Sequence, residues 1–342
     1  MIGPDRNVRK GGAMKYWTWW VGVALIAAGL LQGCGGSAAP SPGADARQDQ
    51  GSRQIEIALV PMGLSHQFWL TMKEGADAAA RETGVSLLWQ GPAKESEFDK
   101  QINIVQDLIV RKVSAILLAA CDENALVDAV NQADRAGIPV ICVDSGVASD
   151  TPKSLIATDN VLGAKKGAEE LARLIGEEGE VGLVSVAKGI GTSELREKGF
   201  FEGIEQFPRI RVVSVQYSQA DMGTAMNVTQ DMLTGNPGIK GIFAANEAGT
   251  VGAAQALRAL GKAGTVKLVG FDASEHEIEA LREDVVQALV VQNPYRMGYE
   301  GVMTALKVLR GETVPKRIDT GVTVVRKADL DNPDIRKLLR IQ

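Results

Sequence analysis

From residue 54 onward, short apolar runs alternate with amphipathic stretches. Strands are expected over 55–60, 113–119, 139–143, 180–186, 211–215, 239–244, 266–270, 286–291 and 322–325. Several, such as IPVICVD and VKLVGFD, are dominated by β-branched residues and lack clean alternation of apolar and polar positions. That pattern suits strands covered on both faces. Helical spacing recurs over 68–81, 98–111, 124–135, 160–175, 225–233 and 249–260. Strands alternating with helices predict an α/β fold of doubly wound parallel sheets.

The order of elements also repeats. Residues 115–145 run strand, polar loop, Ala-rich helix, Gly turn, strand, Asp, and residues 241–274 follow the same plan. Asp144 and Asp272 close their units at equivalent points. All α/β units share this outline, but with 342 residues against roughly 100 to 200 per domain, two similar lobes is the economical reading.

Composition narrows the class. A hydrophobic fraction of 45% and a charged fraction of 23% are those of a globular chain able to bury a core. Lys and Arg total 37 against 42 Asp and Glu, and no basic patch stands out, so a nucleic-acid partner is not expected. Two histidines are too few for chemistry built on several His ligands, which excludes the zinc hydrolases as a class. GIGTSE, at 189–194, matches neither the P-loop nor the dinucleotide fingerprint.

The first 53 residues have a different character. The apolar run 17–31 follows Arg6, Arg9, Lys10 and Lys15, the order of an export signal. It is short for a spanning helix, which needs about 20 apolar residues. The run ends in Leu31-Gln32-Gly33-Cys34, which resembles the bacterial lipoprotein box in which the cysteine is lipidated, although Gln32 is an unusual occupant. The competing reading is an uncleaved anchor helix, and Met14 is an alternative start. Either way an exported protein is expected. We assign 1–34 to a signal peptide with Cys34 as the lipidation site, and 35–53, rich in Gly, Ala, Ser and Pro, to a flexible leash. Cys121 and Cys142 then remain, as buried small hydrophobes or as a disulfide pair.

Ligands of open α/β sheets bind outside the carboxyl ends of the strands. Here those ends are polar: 61–66 after the first strand, Asp144, Asn246, Asp272 and Gln292 after later ones. A single such Asp is commonly a cap or turn residue, but five polar ends in one chain point to a site. Acids and amides that hold hydroxyls, beside aromatics that cover apolar faces, are the inventory of a sugar site. Phe68 and Trp69 open the first helix, one suited to core packing and the other to stacking on a ligand. Arg196 lies on the helix after 189–191, as a solvated charge or as a ligand clamp.

With Phe68-Trp69, Val105-Gln106-Asp107-Leu108, Ile138-Pro139-Val140-Ile141 with Asp144, ATDNVLG at 157–163, GTSELREKG at 191–199, 227–233 and Gly270-Phe271-Asp272, the chain resembles the type I periplasmic sugar-binding proteins over about 55–327. These are the ribose-binding group of solute receptors for ABC transporters. Lac-repressor-type regulators share the core but carry a DNA-reading segment where this chain has an export signal. The resemblance implies two lobes, 54–158 with 293–320 and 159–292 with 321–342, joined by crossovers near Thr158, Asn293 and Thr320. It implies that Phe68 and Trp69 line the sugar ring while Asp144, Arg196, Asn246, Asp272 and Gln292 bond its hydroxyls. His66 and Ser145 stand where ribose binders carry Asn and Arg, and Ala120 and Ala220 lie near positions of a further amide and aromatic. Ribose itself therefore does not transfer.

Two acids against Arg196 favour a neutral sugar or polyol, or a weakly cationic ligand, over a sugar acid or phosphate, unless His66 protonates. The resemblance further implies a monomer without cofactor or metal, held at the periplasmic or cell-surface side through its lipid only. Its partners would be the transmembrane subunits of an ABC permease. A sensory receptor serving a chemoreceptor or sensor kinase is the alternative. Asp144 and Asp272 are formally a glycosidase pair, but the surrounding residues supply hydrogen bonds and no activated nucleophile, so no enzyme is expected.

Overall fold

The computed structural model describes residues 54–341. The segments expected to be a signal peptide, a lipidation site at Cys34 and a leash lie outside the described residues.

The chain first builds β1 (Glu56–Val60), α1 (Gln67–Thr83), β2 (Ser86–Trp89), α2 (Phe98–Arg111), β3 (Ala115–Leu118), α3 (Val127–Arg135), β4 (Val140–Val143) and β5 (Ser154–Ala157). It continues with α4 (Asn160–Leu174), β6 (Gly179–Ser185), α5 (Gly191–Ile204), β7 (Ile210–Tyr217), α6 (Met222–Gly235), β8 (Ile239–Ala244), α7 (Glu247–Ala259), β9 (Lys267–Phe271), α8 (Glu275–Arg282) and β10 (Ala288–Val291). The last segment is α9 (Pro294–Leu309), β11 (Arg317–Asp319), β12 (Thr323–Arg326) and α10 (Pro333–Leu339).

Two six-stranded sheets result, ordered β11-β5-β4-β3-β1-β2 and β12-β10-β9-β8-β6-β7. The orders superimpose element for element, with β1 matching β6 and β4 matching β9, so the internal echo in the sequence is a repeated architecture. β3, β4 and β10 are buried along their whole length, as their unbroken apolar runs require.

One expectation needs correction. The strand read over 322–325 as part of a parallel sheet is β12, which pairs antiparallel with β10 (Val290↔Val324). Its counterpart β11 runs parallel to β5. Both edges are laid down late by one short stretch of chain that passes from the first sheet to the second, so one of the two strands must run backwards.

The chain passes between the sheets three times: after β5, between β10 and α9, and between β11 and β12. At two of these passages Thr158 and Thr320 lie side by side, buried, with their hydroxyls 3.4 Å apart. Cys121 and Cys142 are both free and buried, which settles the alternative left open by their spacing. Burial pushes the Cys142 thiol up to about 12 and the Cys121 thiol higher still, so both behave as small hydrophobes.

Glycines let the helices meet backbone to backbone. A Cβ on Gly75 of α1 would lie 1.9 Å from the Tyr295 carbonyl oxygen of α9, and one on Gly298 equally close to that of Met72. Gly199 of α5 meets the Val161 carbonyl of α4 in the same way. The aromatics Phe200, Phe243 and Phe271 fill the core beneath α4, the first two stacked at 5.4 Å. Gly298→Ala forces α1 and α9 apart and is expected to cost about 2–3 kcal/mol or more, read as a lower urea midpoint at unchanged slope.

Candidate functional site

The strand ends decide where chemistry gathers. Asp144 follows β4 and Asp272 follows β9, and their amides donate to Ile156 O and Val290 O at 2.8 and 2.9 Å. These are matching rungs of the two sheets. Both residues hold positive φ, 63° and 90°, which a short carboxylate tolerates better than a bulky side chain. The turn leaves each carboxyl at the carboxyl end of its sheet, and the two line one cavity.

On the first-sheet side the cavity is lined by His66, Phe68, Trp69, Glu95 and Asp144. Trp69 is only 3% exposed and packs in the core, edge-on to Phe68 at 4.8 Å, so Trp69 is the core aromatic and Phe68 the more open of the two. Its indole Nε1 donates to Glu95 Oε1 at 2.8 Å, and the same oxygen lies 2.8 Å from His66 Nδ1.

On the second-sheet side Arg196 is buried, not a solvated helix charge. Its Nε donates to Asn160 Oδ1 and its Nη1 to the Ala245 carbonyl, each at 2.7 Å, while its guanidinium lies 3.9 Å over the Phe271 ring. Asn246 caps α7, its Oδ1 accepting from Gly249 N at 2.9 Å. Asp272 accepts from Gln292 Nε2 at 2.6 Å and from Glu247 N at 2.9 Å.

Glu247 crosses the cavity. Its two carboxylate oxygens accept from the amides of Gln67 and Phe68, at 3.1 and 3.0 Å, at the start of α1. A carboxylate from the second-sheet side thus satisfies orphan donors of a first-sheet helix, where the helix dipole also favours negative charge. It stands between this inner cavity and an outer, larger one that shares Phe68, Glu247, Asp272 and Gln292.

Charge is concentrated here. Burial raises Asp144 to about 7, against the pull of Arg196 and with the help of Asp272 and Glu95. Asp272 and Glu247 are raised too, chiefly by burial. For His66 burial disfavours the imidazolium, but the hydrogen bond and charge of Glu95, with Glu247 and Asp272 beyond, prevail and raise it to about 9. His66 is therefore a cation at neutral pH.

The structure brings together His66, Phe68, Trp69, Asp144, Arg196, Asn246, Asp272 and Gln292. It does not bring Ser145, whose hydroxyl donates to the Ala120 carbonyl at 3.0 Å and which does not line the cavity. Sequence reasoning missed Glu95, Glu247 and Thr192. Glu247 had a signal, being next to Asn246 at a helix start. Glu95 had none, because its partners are set by the loop after β2.

A family model described as periplasmic binding protein domain matches residues 57–313. The ribose import binding protein of Escherichia coli K12 is 34% identical over 278 residues, covering 79% of this chain and 90% of that protein. A D-ribose/D-allose-binding protein of Pseudomonas aeruginosa is 32% identical over 306 residues, covering 87% and 94%. An ABC transporter solute-binding protein of Agrobacterium vitis, solved with bound D-fucose, is 39% identical and covers 83% of this chain and 99% of that one, with a TM-score of 0.81. Two sheets of matching strand order, three passages between them and near-complete coverage of these relatives agree, and this chain belongs to the family of type I periplasmic binding proteins.

Proposed function

We propose that the inner cavity holds a small neutral sugar or polyol, which the protein captures as the solute receptor of an ABC importer. One observation carries the ligand class. Asp144 Oδ1 and Gln292 Oε1 are buried without a protein partner, and both residues line the cavity. Buried acceptors without donors are costly, and sugar hydroxyls are the donors that would satisfy them. Four carboxyl groups, of Glu95, Asp144, Glu247 and Asp272, stand against the cations Arg196 and His66, which disfavours a ligand bringing a further negative charge. Phe68 offers an apolar face for the ring's C–H side.

In this reading the chain forms two lobes, 54–158 with 293–320 and 159–292 with the segment from 321 onward. Thr158, Asn293 and Thr320 mark the hinge. Contacts from both lobes stabilise the closed form over the open one, and a permease then reads the closed shape. Glu247 adds a closing contact of its own at the start of α1. The receptor acts as a monomer, and Asp144 and Asp272 serve as hydrogen-bonding groups in it, not as an acid–base pair. Lipid on Cys34 tethers it to the membrane surface.

Three measurements bear on this. In thermal unfolding against pentoses, hexoses, polyols, uronates and sugar phosphates, a neutral sugar at a hundredfold excess over its Kd is expected to add about 2.7 kcal/mol and raise Tm by several degrees. A uronate or sugar phosphate giving the largest shift would overturn the ligand class. For Asp144, raised from an ordinary 3.8 to about 7, folding stability from its protonated form is full below 3.8 and is lost as pH rises through about 7. The ionised form accepts hydroxyl donors more strongly, so D-fucose affinity should rise about fivefold to tenfold from pH 5 to 8 while the ligand-free protein loses stability. Asp144→Asn should remove the stability loss in that window and flatten the affinity profile. Finally, radiolabelled palmitate should enter the wild-type chain and not Cys34→Ser, and equal labelling of both would move the anchor elsewhere.

A further inference from the structure

Glu95 is placed where no ligand contact is needed to explain it. It is 9% exposed, and one of its oxygens, Oε1, meets both Trp69 Nε1 and His66 Nδ1 at 2.8 Å. The indole is fixed by core packing, so the carboxylate is fixed, and with it the imidazole. Among the described residues His66 Nε2 has no protein partner and is not sealed from solvent, while the residue itself lines the inner cavity.

We propose that Glu95 is a positioning residue of the ligand site: it orients His66 and keeps its ring doubly protonated, so that Nε2–H donates to an oxygen of the bound sugar. The proposal rests on the reading of the inner cavity as a sugar site. The neighbours explain why a fixed donor matters there. Asp144, Glu247 and Asp272, all facing the same cavity, draw hydroxyl protons toward themselves, leaving oxygen lone pairs for the two cations, His66 and Arg196. A neutral imidazole held through Nδ1–H would present a lone pair at Nε2, an acceptor among acceptors.

Glu95→Gln tests this with little change of shape, since the amide oxygen can still accept from both rings while the charge is gone. His66 should then lose its proton near neutrality, not near 9 as in the wild type. The readout is calorimetric Kd for D-ribose, D-allose, D-fucose and D-arabinose at pH 6 and pH 8, taken as the ratio of variant to wild type; because Glu95 also helps to raise Asp144 and Asp272, the pH dependence that passes through those acids is measured by the same substitution in a His66→Asn background. For the tightest of the four sugars the ratio should be about tenfold larger at pH 8 than at pH 6. In a His66→Asn background the ratio should change with pH by well under tenfold, leaving only the part that passes through the two aspartates. Equal ratios in the native background, or a pH dependence as large without His66 as with it, would overturn the proposal.

Failure of all four sugars to bind the wild type would overturn the sugar reading, not the hold of Glu95 on the ring. That hold is read in ligand-free protein by NMR titration of His66, assigned against His276→Gln because the chain has only two histidines. A midpoint lowered by about two pH units in Glu95→Gln upholds it, and an unmoved midpoint sinks it.

Discussion

Carboxyl groups taken out of water must find donors or give up their charge, and the site of this protein is organised around four that were taken out of water together. Glu95 meets an indole and an imidazole. Glu247 meets two amides at the start of α1. Asp272 meets Gln292 and the Glu247 amide. Asp144 has the nearby charge of Arg196 but keeps one oxygen without a partner. Each solution recruits a group from another element, so satisfying the acids also assembles the cavity. The remaining deficit, acceptors lacking donors, is what makes a hydroxyl-rich neutral solute the fitting occupant.

Duplication supplies the frame. Because the two sheets share one strand order, the same rung, the residue after β4 and after β9, delivers an aspartate from each side. The three passages of chain between the sheets join the two halves, and the close glycine contacts of α1 with α9 and of α4 with α5 stiffen each half behind its strand ends. In the proposed reading, rigid halves joined by short passages suit a receptor that closes on its ligand, since a few contacts between them can then move a whole surface. Glu247 is such a contact made by the protein alone, and Arg196, locked by Asn160, Ala245 and Phe271, presents a cation without needing a ligand to order it.

Several elements escaped the sequence pattern for definable reasons. β2, β5 and β11 are three or four residues long, too short for a period to show. α9 carries Pro294, Gly298 and Gly301, a poor helix by propensity whose glycines are required where it presses on α1 and the first sheet. The direction of β12 could not be read from TVVR, because parallel and antiparallel edges use the same residues. At the site, Ser145 was a candidate because it stands where ribose binders carry Arg, yet the turn sends its hydroxyl to the Ala120 carbonyl.

By itself the sequence determined the alternation of strands and helices, their repeat in two halves, and the polar strand ends that carry Asp144, Asn246, Asp272 and Gln292. These follow from hydrophobic period and from residues adjacent in the chain, which is information each segment holds alone. Only the tertiary structure decided that Glu95 serves His66, 29 residues away, that Glu247 closes on α1 from 180 residues away, and that Arg196 is buried and not solvated. Those outcomes depend on which loops and helix starts meet, within each sheet's loop cluster and, for Glu247, between the two, and the energy of a buried charge is set by its neighbours in space, whatever their distance along the chain.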